Sequence, residues 1–242
     1  MGLPRVLRSP ARHRGAAALS RRRVAAAVGL MVIFATAGCG SFAEAQQVIG
    51  RADLVNELSA RLSAAEQLTY SADYQLPGGQ SAAIARAQEP ARSAYTYPGG
   101  KLIVTPEATT ECRADACRRS APPSPSANPL ASLFSDPGTH GLIPPSVVVG
   151  LLTAAALDAD AVIAQNDTTV AGQHATCVDV NAVENAPASA FKACITTTGV
   201  LGSFSGVVNG SQIELALTQY RDTVDDPGAF AIPPGAHLVP SR

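Results

Sequence analysis

The residues that could carry chemistry are few and scattered. Gly202-Ser203-Phe204-Ser205-Gly206 has the outline of a GxSxG nucleophile elbow, but Phe204 stands where the serine must be. The run around it also alternates like a strand instead of turning from strand to helix. Asp158 with Asp160, and Asp225 with Asp226, are paired carboxylates of the sort used in acid–base work or calcium binding. Each pair adjoins a helix end or a proline turn, where aspartate commonly serves the backbone. His174 falls in a strand-like run beside Cys177, without a triad partner at any recognisable spacing. Leu76-Pro77-Gly78-Gly79 and Tyr97-Pro98-Gly99-Gly100 are turn formers that lack the Lys and Ser/Thr of a phosphate-cradling loop. The expectation is a protein that is not an enzyme and has no cofactor.

Cysteine is more informative. Cys112, Cys117, Cys177 and Cys194 are an even set, which in an exported domain reads as disulfides. Glu111-Cys112-Arg113-Ala114-Asp115-Ala116-Cys117 closes a small loop, and Cys177 and Cys194 lie in two neighbouring strand-like runs. The favoured pairing is therefore 112–117 with 177–194. Zinc would need four converging ligands; CxxC spacing is absent and His140, His174 and His237 form no motif. No metal is expected.

The fifth cysteine, Cys39, belongs to the N-terminus. Residues 1–23 hold seven arginines and no acid, and Val24 to Gly38 are uncharged and mostly apolar. A basic stretch, a short apolar run and a small-residue boundary mark a secretory signal over residues 1–38; an uncleaved anchor would want about 20 apolar residues. Thr36-Ala37-Gly38-Cys39 resembles the bacterial lipobox, with Thr36 at the position the pattern prefers to fill with Leu. That resemblance implies lipidation of Cys39 and a membrane tether, since each buried CH₂ of an acyl chain contributes about 0.8 kcal/mol. Ser20-Arg21-Arg22-Arg23-Val24 is also similar to part of a twin-arginine export signal. The expected location is extracytoplasmic, lipid-anchored to the cell membrane.

Removal of residues 1–38 leaves 11 basic and 19 acidic residues, a net charge of −8. Such a domain is a poor ligand for phosphate backbones, so no nucleic-acid partner is expected. The remaining chain, 39–242, is long enough for one domain with a sizeable core. Its apolar residues are mostly Ala and Val, with no Trp.

The elements follow from periodicity. Ala43 to Leu68 keeps Val48, Val55, Leu58 and Leu62 on one face and reads as an amphipathic helix. From Thr69 the period drops to two, with Tyr70, Ala72, Tyr74 and Leu76 on one side. Pro77-Gly78-Gly79 separates this run from another at 81–88, and Pro98-Gly99-Gly100 separates runs at 91–97 and 101–106, which predicts an antiparallel meander. Residues 118–145 contain seven prolines and read as a Pro-rich flap. Residues 146–160 read as a helix capped by Ser146 and apolar nearly all round, hence buried or facing a cavity. Strands return to the end, broken at Asn166-Asp167, at 185–187 and at Asn209-Gly210, with an extended closing segment from Phe230.

A lipobox at Cys39, an amphipathic first helix, a long meander with Pro-Gly-Gly hairpins and an apolar helix before the last strands resemble the LolA-like fold. Exported actinobacterial lipoproteins of the LppX/LprG kind share it. The resemblance implies an α+β domain in which a strongly curved antiparallel sheet, a half-barrel, holds helices on its concave side. It further implies a lipid or lipoglycan bound by its acyl chains in an apolar cavity, but no ligand residue of the family carries over to this sequence. On the chain's own pattern, Tyr70 and Tyr74 share a strand face and Val148, Leu151 and Leu152 belong to the apolar helix, which makes them either core residues or the lining of such a cavity. LolA-like domains also serve as non-catalytic sensors or scaffolds that bind another envelope protein. The two readings differ physically: a carrier needs an internal void, a scaffold a filled core and an exposed surface.

Overall fold

The structure is a computed structural model that describes residues 39–122 and 141–239, with side chains from Gly50 onward. The expected signal peptide and most of the Pro-rich flap lie outside the described residues. Met1–Ala43 and Glu44–Arg242 separate into two units; of the first, only the helical backbone of Cys39–Ala43 is described.

Helix α1 (Cys39–Ala65) starts four residues earlier and ends three residues sooner than the periodicity predicts. Val55, Leu58, Leu62 and Ala65 are buried, a spacing of three and four that keeps one stripe toward the core. The chain then leaves the helix through a turn at Glu66–Leu68 and enters β1 (Tyr70–Gln75). Here the alternation of Tyr70, Ala72 and Tyr74 prevails, because a period of two buries all three on one face of a sheet. The meander continues through β2 (Ser81–Gln88), β3 (Ala91–Tyr97), β4 (Gly100–Val104), β5 (Thr109–Arg113) and β6 (Ala116–Ser120). Gly78 and Gly79 turn the chain between β1 and β2 at φ +70° and +76°, a conformation that costs glycine nothing.

The predicted flap is shorter at both ends. Arg118, Arg119 and Ser120 belong to β6, where they pair with Glu111, Thr110 and Thr109, and Pro145 opens helix α2 (Pro145–Leu157). Ser146 is not the cap. Pro144 occupies that position with extended backbone, Pro145 supplies the preset φ of a first helical turn, and the Ser146 hydroxyl is buried without a partner. No helix among the described residues is long and apolar enough to cross a membrane.

A second meander follows: β7 (Val162–Val170), β8 (Gln173–Asn181), β9 (Phe191–Thr196), β10 (Leu201–Val208) and β11 (Ser211–Arg221). Asn166-Asp167 does not break it. β7 runs through that pair, and the turn comes at Ala171-Gly172, both at positive φ (48° and 77°). Polar composition misleads at this place because β7 is exposed along nearly its whole length and so lacks the half-buried alternation that marks a strand. The hairpin predicted at Asn209-Gly210 does form, with Val208 opposite Ser211.

A last strand, β12 (His237–Val239), follows, and all the described strands form one sheet in the order β12-β6-β5-β4-β3-β2-β1-β11-β10-β9-β8-β7. Neighbours are antiparallel except β12, which runs parallel to β6. The two meanders join where β1 pairs with β11, with a register shift between Asp73 and Tyr74. The sheet is strongly curved: β11 and β7 approach each other although three strands separate them. The Cβ of Val170 on β7 lies 3.5 Å from where a Cβ on Gly202 of β10 would stand. The buried side chains of α1, α2 and one face of β1–β4 and β8–β11 form one apolar core.

Candidate functional site

The five residues expected to line a cavity all join one apolar core, but of the five only Tyr70 and Tyr74 bound a cleft. Tyr70 and Tyr74 come from one face of β1, and Val148, Leu151 and Leu152 from α2; all are 5% exposed or less. Tyr74 Oη donates to the Leu201 carbonyl at 3.0 Å, which satisfies its only polar atom inside the core. Burial raises the Tyr74 phenol well above its ordinary value, and burial likewise raises Tyr70 and Tyr95. Beside them runs a narrow cleft bounded by Leu62 and Ala65 of α1, Tyr70 and Tyr74 of β1, and Leu142 and Ile143 ahead of α2. Its free volume is about 20 Å³, room for about one water molecule.

Arg86 on β2 closes the rim of this cleft. Its Nη1 donates to the Glu66 carbonyl at 2.9 Å and its Nη2 to Tyr95 Oη at 3.1 Å, while its Nε is buried without a partner. The guanidinium thus ties the end of α1 to the sheet. Sequence reasoning missed Arg86. The available signal was an arginine inside an alternating Ala-Ile-Ala run, which places its charge on the same face as Ile84.

Both disulfides form in the favoured pairing, each between directly opposed residues of adjacent strands: Cys112 with Cys117 and Cys177 with Cys194. The geometry follows from the turns. Ala114-Asp115 closes β5–β6 on the pair 113/116, and Ala171-Gly172 closes β7–β8 on 170/173. A two-residue turn closes on a hydrogen-bonded pair, and pairs then alternate. Cys112/Cys117 and Cys177/Cys194 both fall on non-hydrogen-bonded positions, where opposed Cα atoms approach most closely; they are 4.0 and 3.9 Å apart.

Cys177–Cys194 also lies in a groove of about 460 Å³ on the sheet face opposite the core. Asn166, Ser203, Ser205 and Glu214 line the same groove. The opposed pair Asp179 and Lys192 forms an ion pair across it at 2.7 Å. Ser203 and Ser205 of the GxSxG-like run point into this open groove, while Phe204 between them is buried in the core. Alternation along β10 thus explains that motif without chemistry.

The closing segment from Asp222 crosses to the far edge of the sheet as a strap. Lys101 of β4 holds it: its Nζ donates to the carbonyls of Gly228 and Ala231, each at 2.9 Å. Burial lowers the Lys101 amine below its ordinary value, with Asp226 opposing. The Arg92 guanidinium sits 4.3 Å above the Phe230 ring, a cation–π contact. Asp226 accepts from the Gly228 amide at 2.8 Å. Asp158 accepts from the amides of Glu184 (2.6 Å) and Asp160 (2.9 Å), bonds that lower its pKa. Both carboxylates are occupied by the backbone, as turn and cap residues. Among the described residues no group of three or more His, Cys, Asp or Glu converges as metal ligands.

No family model matches the chain, and neither does any curated protein. Solved structures do show similarity. One is an uncharacterized conserved protein from Thermus thermophilus, at 10% identity and TM-score 0.43, covering 76% of this chain and 97% of that one. MucB is similar at 12% identity and TM-score 0.42, covering 74% of this chain and 63% of MucB. MucB in complex with MucA(peri) is similar at 13% identity and TM-score 0.41, covering 76% of this chain and 61% of that one. This chain therefore spans less than two thirds of MucB's length. At these TM-scores the likeness assigns neither family nor function to this chain, and the described residues stand as a large, mostly antiparallel curved sheet with two α-helices.

Proposed function

We propose that this chain is a non-catalytic envelope lipoprotein of the LolA-like kind, tethered outside the cytoplasm through a lipidated Cys39, which binds another envelope protein with its surface. In this reading both helices lie on the concave side of the sheet and fill it. The observation that carries the proposal is the packing of the interior: about 20 Å³ remains beside Tyr70, Tyr74, Leu142 and Ile143, far below the few hundred Å³ of a pocket that buries a ligand. Two disulfides support an oxidising compartment.

The second reading is the acyl carrier, and the cleft itself favours it. It is apolar, touches both β1 and the start of α2, and carries the cation Arg86 at its rim. Outward movement of α2 with Leu142 and Ile143 would open a path for acyl chains. Organic extraction and mass spectrometry of the exported, purified lipoprotein separate the two. The proposal expects no acyl lipid beyond the one covalently on Cys39. A stoichiometric second lipid, lost when Val148, Leu151 and Leu152 are replaced by bulkier residues, overturns it in favour of the carrier.

A further inference from the structure

We infer that the edge of β7, unpaired among the described residues, is an interface between two copies of this chain, paired antiparallel about Asn166 so that two sheets join into one. This goes beyond the proposed function and does not depend on what the cleft or the surface binds.

The two edges of the sheet are treated differently. β12 is three residues long, runs parallel to its neighbour, and stands between Pro233-Pro234 and Pro240 in sequence. Short length and proline are the usual protections of an edge strand. β7 has neither. Its nine residues pair with β8 without a register break, from Val162 opposite Asn181 to Val170 opposite Gln173. It contains no Pro, no Lys and one charge, Asp167, and it is exposed along nearly its whole length, with Val162 58% exposed. A long, unbroken, nearly uncharged edge is a template for another strand.

Register then selects the occupant. The Ala171-Gly172 turn makes 170/173 a hydrogen-bonded pair, so the even residues of β7 bond to β8. Ile163, Gln165, Asp167 and Thr169 turn their N–H and C=O groups to the free side. The sequence Val-Ile-Ala-Gln-Asn-Asp-Thr-Thr-Val is nearly palindromic in chemistry about Asn166. Two copies centred there place Val162 against Val170, Ala164 against Thr168, Ile163 against Thr169, and Gln165 against Asp167. Odd residues meet odd, as the ladder requires, and the carboxylate of Asp167 meets an amide that can donate to it. Moving the centre to Asp167 would set the two carboxylates face to face, which is destabilising. Moving it to Gln165 would set Asp167 against Ile163. Of these three centres, Asn166 alone satisfies both the ladder and the charges, and it pairs β7 along its full length, as an isologous contact demands.

The test is cross-linking in the full-length exported protein. Ala164 and Thr168 face each other across the inferred interface at a non-hydrogen-bonded position, the geometry that both native disulfides use. Two differently tagged chains, one carrying Ala164→Cys and the other Thr168→Cys, are co-expressed and run on non-reducing gels. The expected result is a cross-linked heterodimer that is absent when either variant is expressed alone. Gln165→Pro on both chains should abolish the cross-link while leaving the β8 pairing intact, because the Gln165 N–H faces the free edge. Three results would overturn the inference: no cross-link from chains that retain their native disulfides, equal cross-linking in the single-variant controls, or capture of a different protein by the same cysteines.

Discussion

Gly199 lies directly beneath the carbonyl oxygen of Arg61: a β-carbon built on it would come within 2.0 Å of that oxygen and 3.3 Å of Ala65 Cβ. The residue also sits at φ +84°. The turn between β9 and β10 is therefore in backbone contact with the last turn of α1. Arg61 adds a 3.3 Å hydrogen bond to Thr176 on β8 and an ion pair with Glu57.

Gly199→Ala should accordingly be far more costly than an ordinary turn substitution. The left-handed conformation alone costs an L-residue roughly 1–2 kcal/mol, and the clash forces α1 off the sheet. The expected loss exceeds about 2 kcal/mol in urea denaturation. A loss below about 0.5 kcal/mol would show that α1 does not seat on this turn.

Leu152→Phe distinguishes a filled interior from a hollow one. Leu152 is 0% exposed, so extra volume in a filled core costs about 1–3 kcal/mol. A neutral or stabilising result would reveal unoccupied space. Leu152→Ala should destabilise by about 2–5 kcal/mol in either case, which confirms that the position is buried.

The two disulfides should contribute unequally. Cys177–Cys194 spans 17 residues and Cys112–Cys117 spans five. The loop-entropy relation gives about 3 kcal/mol for the former and about 2 kcal/mol for the latter. Paired Cys→Ser variants compared by urea midpoint measure the difference. A larger loss from the 112/117 pair would contradict the loop-entropy account.

Alkaline pH should unfold the protein through its tyrosines. Burial raises Tyr70, Tyr74 and Tyr95 above the ordinary value of 10.0. The folded state therefore holds protons that the unfolded chain releases, and linkage makes stability fall as pH rises above about 10. Tyrosinate absorbance should increase together with the loss of circular dichroism. Full tyrosine titration with the fold intact would show that these phenols reach solvent.

Much of this protein is legible from residues alone. Tyr70, Ala72 and Tyr74 announce β1 because a period of two is a local property of the chain. Val55, Leu58 and Leu62 announce α1 in the same way. The disulfide partners are legible for a related reason: each cysteine pair falls in adjacent strands, so short-range pairing alone brings it together. The paired strands at Asn209-Gly210 need only a turn. These are all contacts whose partners stand within about 20 residues of each other.

What the sequence does not show is how distant segments use the space between them. Whether Tyr74, Leu152 and Leu62 enclose a cavity or fill it depends on how closely α1 and α2 approach the sheet, a matter of a few ångströms that no periodicity encodes. The exposed β7 reads as a turn at Asn166-Asp167 because its pairing with β8, not its own alternation, makes it a strand. The roles of Arg86 and Lys101 are hidden likewise: their partners Glu66, Gly228 and Ala231 offer carbonyls, which every residue carries and no sequence marks. The sequence by itself determined local periods, turns and covalent pairs, because these are set by neighbouring side chains. Tertiary structure alone decided packing volume, free edges and backbone anchors, because these arise when remote parts of the chain meet.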